Sequence, residues 1–187
     1  VPGPALADRL AGIGPDTVAK ILLTSGSTGA PKGVINTQRM MVANQMMTIF
    51  AYRFLARRPP VIVDWLPWNH TFAGNFNFNL ILFHGGTYYL DAGRPAPGRF
   101  EETLRNLREI SPTLYLNVPR GYDVLVPALE ADPILRDKLL CGLDVLFFAG
   151  AALPQSLREG LHALSVAARG DRIPIVTSLG STETAPA

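Results

Sequence analysis

Leu23-Thr24-Ser25-Gly26-Ser27-Thr28-Gly29-Ala30-Pro31-Lys32-Gly33 packs four hydroxyls, three glycines and one lysine into consecutive positions. Glycines let backbone N–H groups approach an anion closely, hydroxyls add donors, and lysine adds a mobile positive charge. The stretch therefore reads as a phosphate cradle. A plain surface turn would account for the glycines but not for Lys32 or the density of hydroxyls. It is not a Walker loop, which needs Gly-Lys followed by Ser or Thr at a helix N-terminus. Here Pro31 precedes Lys32, Gly33 follows it, and the β-branched pair Val34-Ile35 favours a strand. Ala19 to Thr24 reads as the strand entering the loop Ser25 to Gly33, and Val34-Ile35 as the strand leaving it.

Outward from this loop, short apolar runs alternate with amphipathic stretches, the pattern of an α/β fold with a largely parallel sheet flanked by helices. Thr37 can cap a helix to about Tyr52. Val61 to Val63 reads as a buried strand, Gly74 to Phe83 as a helix closed by Gly85-Gly86, and Thr87 to Leu90 as a strand. Phe100, Leu104, Leu107 and Ile110 share one face of a helix. The strand Thr113 to Leu116 precedes a helix opened by Pro119 and ending near Leu129. A shorter helix, Pro133 to Leu140, leads to the strand Val145 to Phe148. Helix Gln155 to Ala168 and strand Ile173 to Thr177 follow. No repeat and no internal domain boundary is visible, so residues 1–187 read as one domain.

The charge balance is nearly even, with 17 Lys+Arg against 15 Asp+Glu, and the basic residues are scattered. Nothing in it favours nucleic acid as a partner. Charged residues make up 17%, against about 25% in typical domains, and mean hydropathy is +0.18. No apolar run approaches the roughly 18 residues of a membrane span. With no initiator Met and no signal-peptide pattern, these features lead to the expectation of an interior portion of a larger protein. The single cysteine, Cys141, excludes an internal disulfide and a cysteine metal cluster. Beside an apolar strand it is expected to be buried or half-buried, and a cytoplasmic setting is the simplest reading.

Thr24-Ser25-Gly26-Ser27-Thr28-Gly29-Ala30-Pro31-Lys32-Gly33 resembles the phosphate-binding signature of the adenylate-forming superfamily of acyl-CoA synthetases, luciferases and adenylation domains. Three more motifs follow in the family's order. Trp65-Leu66-Pro67-Trp68-Asn69-His70 resembles its Leu-Pro-x-x-His segment. Phe147-Phe148-Ala149-Gly150-Ala151-Ala152-Leu153-Pro154 resembles its adenine-binding turn, and Gly180-Ser181-Thr182-Glu183 its Gly-x-Thr-Glu motif. The resemblance implies that such a protein joins an acid to the α-phosphate of ATP and passes the acyl group to coenzyme A. It implies phosphate contacts from Thr24, Ser25, Gly26, Ser27, Thr28, Gly29 and Lys32. Adenine contacts would come from Gly150, Ala151 and Ala152 with Ser178, Leu179 and Gly180, and an acyl pocket from His70, Phe72 and Val118. Lys32, Thr182 and Glu183 would be catalytic, with Glu183 on Mg²⁺, a hard cation that prefers carboxylate and phosphate oxygens.

Lys20 to Asn44, Asp64 to Asn79, Glu102 to Pro119 and Phe147 to Gly150 resemble bacterial feruloyl-CoA synthases, which implies a hydroxycinnamic acid as substrate. Phe72, Phe76 and Phe78 suit an aromatic pocket and equally suit core packing. Asn77 and Asn79 depart from their apolar surroundings and read more readily as satisfying buried backbone than as bonding a substrate phenol or methoxy oxygen. His84 and His162 lack any motif and read as structural. The family's ribose-binding aspartate and the lysine of its mobile C-terminal domain belong downstream of these motifs. The resemblance therefore implies a partial domain with little adenylation of its own, acting in a longer polypeptide. The alternatives are a ligase for another acid, such as a benzoate or fatty acid, or a non-catalytic nucleotide-binding module.

Overall fold

The computed structural model describes residues 3–25 and 29–185. A first helix α1 (Pro4–Ala11), not assigned from the sequence, buries none of its side chains. Strand β1 (Val18–Ser25) turns back into β2 (Pro31–Thr37) as an antiparallel hairpin. Thr24 pairs with Lys32 and Ser25 with Pro31. The loop is thus shorter than expected, and Lys32 and Gly33 lie on the returning strand. Side chains alternate across a strand: Val34 and Asn36 face inward, while Ile21, Leu23 and Ile35 are exposed on the outer face.

Thr37 caps α2 (Gln38–Ala51), its Oγ1 accepting from Met40 N–H at 3.4 Å. A 3₁₀ turn (Arg53–Ala56) leads to β3 (Val61–Asp64). The expected helix from Gly74 is two pieces: a π-helical segment, Phe72–Asn77, and then α3 (Phe78–His84). Gly85 closes α3 in the left-handed conformation, with φ 65°, as glycine permits without steric cost. β4 (Thr87–Leu90) pairs in parallel with β3. Then come α4 (Phe100–Glu109), β5 (Leu114–Asn117), α5 (Pro119–Ala131), α6 (Pro133–Leu140), β6 (Val145–Phe148), α7 (Gln155–Arg169) and β7 (Ile175–Thr177). A 3₁₀ turn, Thr182–Thr184, follows β7.

The parallel strands form a pair, β3–β4, and a triplet in the order β5–β6–β7. Thr113 joins the two groups: its N–H donates to Val61 O at 2.8 Å, and its Oγ1 accepts from Val61 N–H at 2.9 Å. Strands covered on both faces read as continuous apolar runs. Accordingly, Tyr115, Leu146 and Phe148 pack under α4–α7 with Leu107, Tyr122, Leu129 and Leu161. Leu114, Leu116, Val145 and Phe147 pack on the opposite side against Phe72, Phe76 and Leu80. Cys141, expected to be buried or half-buried, is exposed. It is the C-cap of α6, a position facing solvent, with Sγ donating to Ala168 O at 3.4 Å.

Candidate active site

A cleft of about 920 Å³ opens where β5, β6 and β7 end. Ligands of open α/β sheets favour the carboxyl ends of strands, and the volume suits a small-molecule site. Its walls come from the segment after β3 (Trp65, Leu66, Pro67, His70), the π-helical segment (Phe72, Phe76) and Val118 after β5. Phe147 to Leu153 and Thr177 to Gly180 add to it.

One end is aromatic. Phe147 lies 5.6 Å from Phe72 and 5.4 Å from Phe76, the latter pair stacked. Phe78 does not join them; it packs on Trp68 at 5.0 Å, on the other side of its turn. His70 lines the cleft, and its Nδ1 accepts from Phe72 N–H at 3.2 Å, so in the neutral ring Nε2 carries the proton. Val118 is fixed by Asn117, whose Oδ1 accepts from Val118 N–H at 2.8 Å. Gly121 is required beneath it, because a Cβ there would stand 2.1 Å from Asn117 Oδ1.

A buried carboxylate holds the aromatic wall. Asp64 Oδ1 accepts from Leu66 N–H at 2.8 Å; its Oδ2 accepts from Asn77 Nδ2 at 2.7 Å and Tyr88 OH at 2.6 Å. Trp68 Nε1 donates in turn to Tyr88 OH at 3.0 Å. Burial pushes the Asp64 carboxyl above its usual range, against the pull of these hydrogen bonds. Asn79 Nδ2 donates to Asn75 O at 2.7 Å. Asn79 thus satisfies backbone, as expected, whereas Asn77 serves the Asp64 carboxylate instead. His84 and His162 lie outside this cleft.

At the other end the chain leaves β6 through Gly150, at φ 86°, while Ala151 and Ala152 are exposed and carry only methyl groups. Thr177 Oγ1 donates to Phe148 O at 2.7 Å, tying this turn to Ser178, Leu179 and Gly180. Arg158, which sequence reading did not single out, also lines the cleft, with its guanidinium 5.6 Å from the centre of the Phe148 ring. A single arginine on an amphipathic helix carries no sequence signal.

The hairpin meets the last turn of the chain. Lys32 Nζ lies 3.5 Å from Glu183 Oε1, with both side chains exposed, and Asn36 Nδ2 donates to Thr182 O at 3.1 Å. The Glu183 carboxyl is held below its usual range by its own backbone N–H, by Ser181 and by Lys32. Thr24 Oγ1 donates to Lys32 O at 3.5 Å, and Gly29 adopts φ 82°. Gly26, Ser27 and Thr28, three of the expected phosphate contacts, lie outside the described residues, as does the side chain of Ser25. Among the described residues no three His, Cys, Asp or Glu side chains gather as a metal cluster. A lone ionised carboxylate suits Mg²⁺, which is commonly held by one or two carboxylates plus substrate phosphates.

The sequence model of AMP-binding enzymes matches residues 5–187. The chain belongs to the AMP-binding enzyme family. Among this family member's relatives, a peroxisomal long chain acyl-CoA synthetase 6 of Arabidopsis thaliana is 33% identical over 132 residues, covering 67% of this chain and 17% of the relative. A 4-chlorobenzoate–CoA ligase of an Arthrobacter species is 29% identical over 174 residues, covering 91% of this chain and 30% of the relative. A solved malonyl-CoA ligase, in a ternary product complex with methylmalonyl-CoA and AMP, superposes with a TM-score of 0.69 at 28% identity. That match covers 89% of this chain and 34% of the other. The chain therefore spans a third or less of the two curated relatives. Its parallel strands flanked by helices match the N-terminal domain of adenylate-forming enzymes.

Proposed function

We propose that this AMP-binding chain carries the ATP and acid half-sites of an acid–CoA ligase whose substrate is a hydroxycinnamic acid such as ferulate. The observation that carries the reading is the juxtaposition of two dissimilar ends in one cleft. The turns at Gly150–Ala152 and Ser178–Gly180 open into the same space as His70, Phe72 and Val118. A nucleotide and an acid bound there would be neighbours, and proximity alone supplies much of the rate of a two-substrate step. The stacked Phe76–Phe147 pair favours a flat ring over a flexible chain.

In this reading the substrate carboxylate attacks the α-phosphorus of ATP, the acyl–oxygen–phosphorus link forms, and the bond to pyrophosphate breaks. Lys32 binds the departing phosphates, and the Thr182 hydroxyl donates to the α-phosphate. Glu183 stays ionised and is the residue that would hold Mg²⁺, whose charge offsets that of the pyrophosphate when bound. Coenzyme A then takes the acyl group, with AMP as the leaving group. The test is pyrophosphate exchange and thioester formation by the full-length protein with ferulate, benzoate and a fatty acid. Ferulate is expected to give the highest kcat/KM. Exchange supported only by benzoate or a fatty acid would overturn the substrate, and ATP hydrolysis to phosphate without exchange would overturn the reaction.

A further inference from the structure

Asn36 and Lys20 face each other across the hairpin and share its inner side. Lys20 Nζ donates to Gly74 O, within the π-helical segment, at 2.5 Å. Asn36 is fully buried, and both ends of its amide are engaged: Nδ2 donates to Thr182 O at 3.1 Å, and Oδ1 accepts from Asn75 Nδ2 at 2.9 Å. Asn75 Nδ2 also donates to Thr71 Oγ1 at 3.0 Å, and Thr71 lines the cleft between His70 and Phe72. A continuous run of hydrogen bonds thus joins the acyl wall, the phosphate hairpin and the turn that carries Thr182 and Glu183.

Among the ties from β2 to that turn, Lys32–Glu183 and Asn36–Thr182 differ in burial. Lys32–Glu183 is exposed and 3.5 Å long, and such pairs fix little. The Asn36 tie is part-buried, with Asn36 itself fully buried, so losing the Thr182 carbonyl would leave the Asn36 amide unpaired at substantial cost. We propose that Asn36, with Lys20 beside it, is a positioning residue that holds the Thr182–Glu183 turn and the acyl wall in one frame. The proposal rests on the reading of Thr182 and Glu183 as nucleotide contacts only for its consequence on binding, not for the frame itself.

The test pairs two readouts on the 187-residue chain. In Asn36→Leu, NMR order parameters of backbone amides 181–185 are expected to fall from near 0.85 to below about 0.6, the flexible range, with β5–β7 unchanged. Asn75→Ala cuts the link to Thr71 but leaves the Thr182 bond, so the turn should stay rigid while 71–77 loosens. A rigid turn in Asn36→Leu overturns the proposal, as does loosening of β5–β7 alongside it. Should Asn36→Leu not fold, Lys20→Met is expected to loosen 71–77 alone; no change there overturns the frame. The second readout is ATP affinity. Asn36→Leu should weaken it at least tenfold with Mg²⁺ and under threefold in EDTA; equal losses overturn the positioning role. If the unmutated chain binds no ATP, the nucleotide reading fails, while the order parameters still decide the frame.

Discussion

Gly74 sits where the π-helical segment passes the loop bearing His70, and replacing it with alanine probes both wall and fold. A Cβ on Gly74 would stand 2.0 Å from Trp68 O and 2.9 Å from its carbonyl carbon. Those atoms are backbone, so relief requires the loop or the segment to move by roughly 1 Å to restore van der Waals contact. Overpacking of this kind costs about 1–3 kcal/mol and occasionally more; contact with backbone on a buried segment puts Gly74→Ala near the upper end, at about 2–3 kcal/mol. For a chain of this length that corresponds to a fall in Tm of about 4–12 °C. The same movement displaces His70, whose carbonyl accepts from Gly74 N–H at 2.8 Å, so binding of an aromatic acid should weaken several-fold. Scanning calorimetry and quenching of Trp65 and Trp68 fluorescence by ferulate measure the two effects. Gly98→Ala is the control: no atom lies within 4 Å of its Cβ, and only φ 68° opposes it, a penalty of about 1–2 kcal/mol. A Gly74→Ala protein that melts with the control and binds ferulate normally would refute the reasoning.

Lys32→Gln should leave the melting temperature unchanged, because its ion pair with Glu183 is exposed, yet weaken ATP binding at least tenfold by calorimetry; a stability loss without an affinity loss would contradict its assignment. Tyr122→Phe removes a fully buried hydroxyl set 2.8 Å from Phe147 O and 2.9 Å from Tyr115 O, and denaturant titration should show a loss of about 1–2 kcal/mol. Because burial raises the Asp64 pKa, the native chain binds that proton more tightly than the unfolded one. Its contribution to stability therefore declines as pH rises from about 4 through the native pKa. Melting temperatures across pH 4–7 should show that decline in the unmutated chain and less of it in Asp64→Asn; identical profiles would count against it. Cys141 should react fully with iodoacetamide in the native state, and a thiol protected until denaturation would contradict its exposed position.

Local chemistry made much of the fold legible. Apolar runs such as Val145 to Phe148 read as strands, and Thr37, Pro119 and Pro133 announced helix starts through hydrogen-bond geometry or a fixed φ. Gly85 marked a helix end because it adopts the left-handed conformation at no steric cost. Other features left no local trace. The break of the expected Gly74–Phe83 helix into π and α pieces accompanies bonds from Lys20, Asn36 and Asp64, partners at least ten residues away. Phe72 and Phe76 reach Phe147 while Phe78 turns aside, a choice made by packing and not by spacing.

By itself, then, the sequence determined most of the strands and helices, since propensity, capping and turn chemistry act over a few residues. Only the tertiary structure decided that Lys32 meets Glu183 across 151 positions, that Asn36 joins two motifs, and that Arg158 faces the cleft. Those outcomes depend on how the hairpin, the π-helical segment and the strand ends are brought together. Burial and hydrogen-bond satisfaction over the whole chain fix that arrangement.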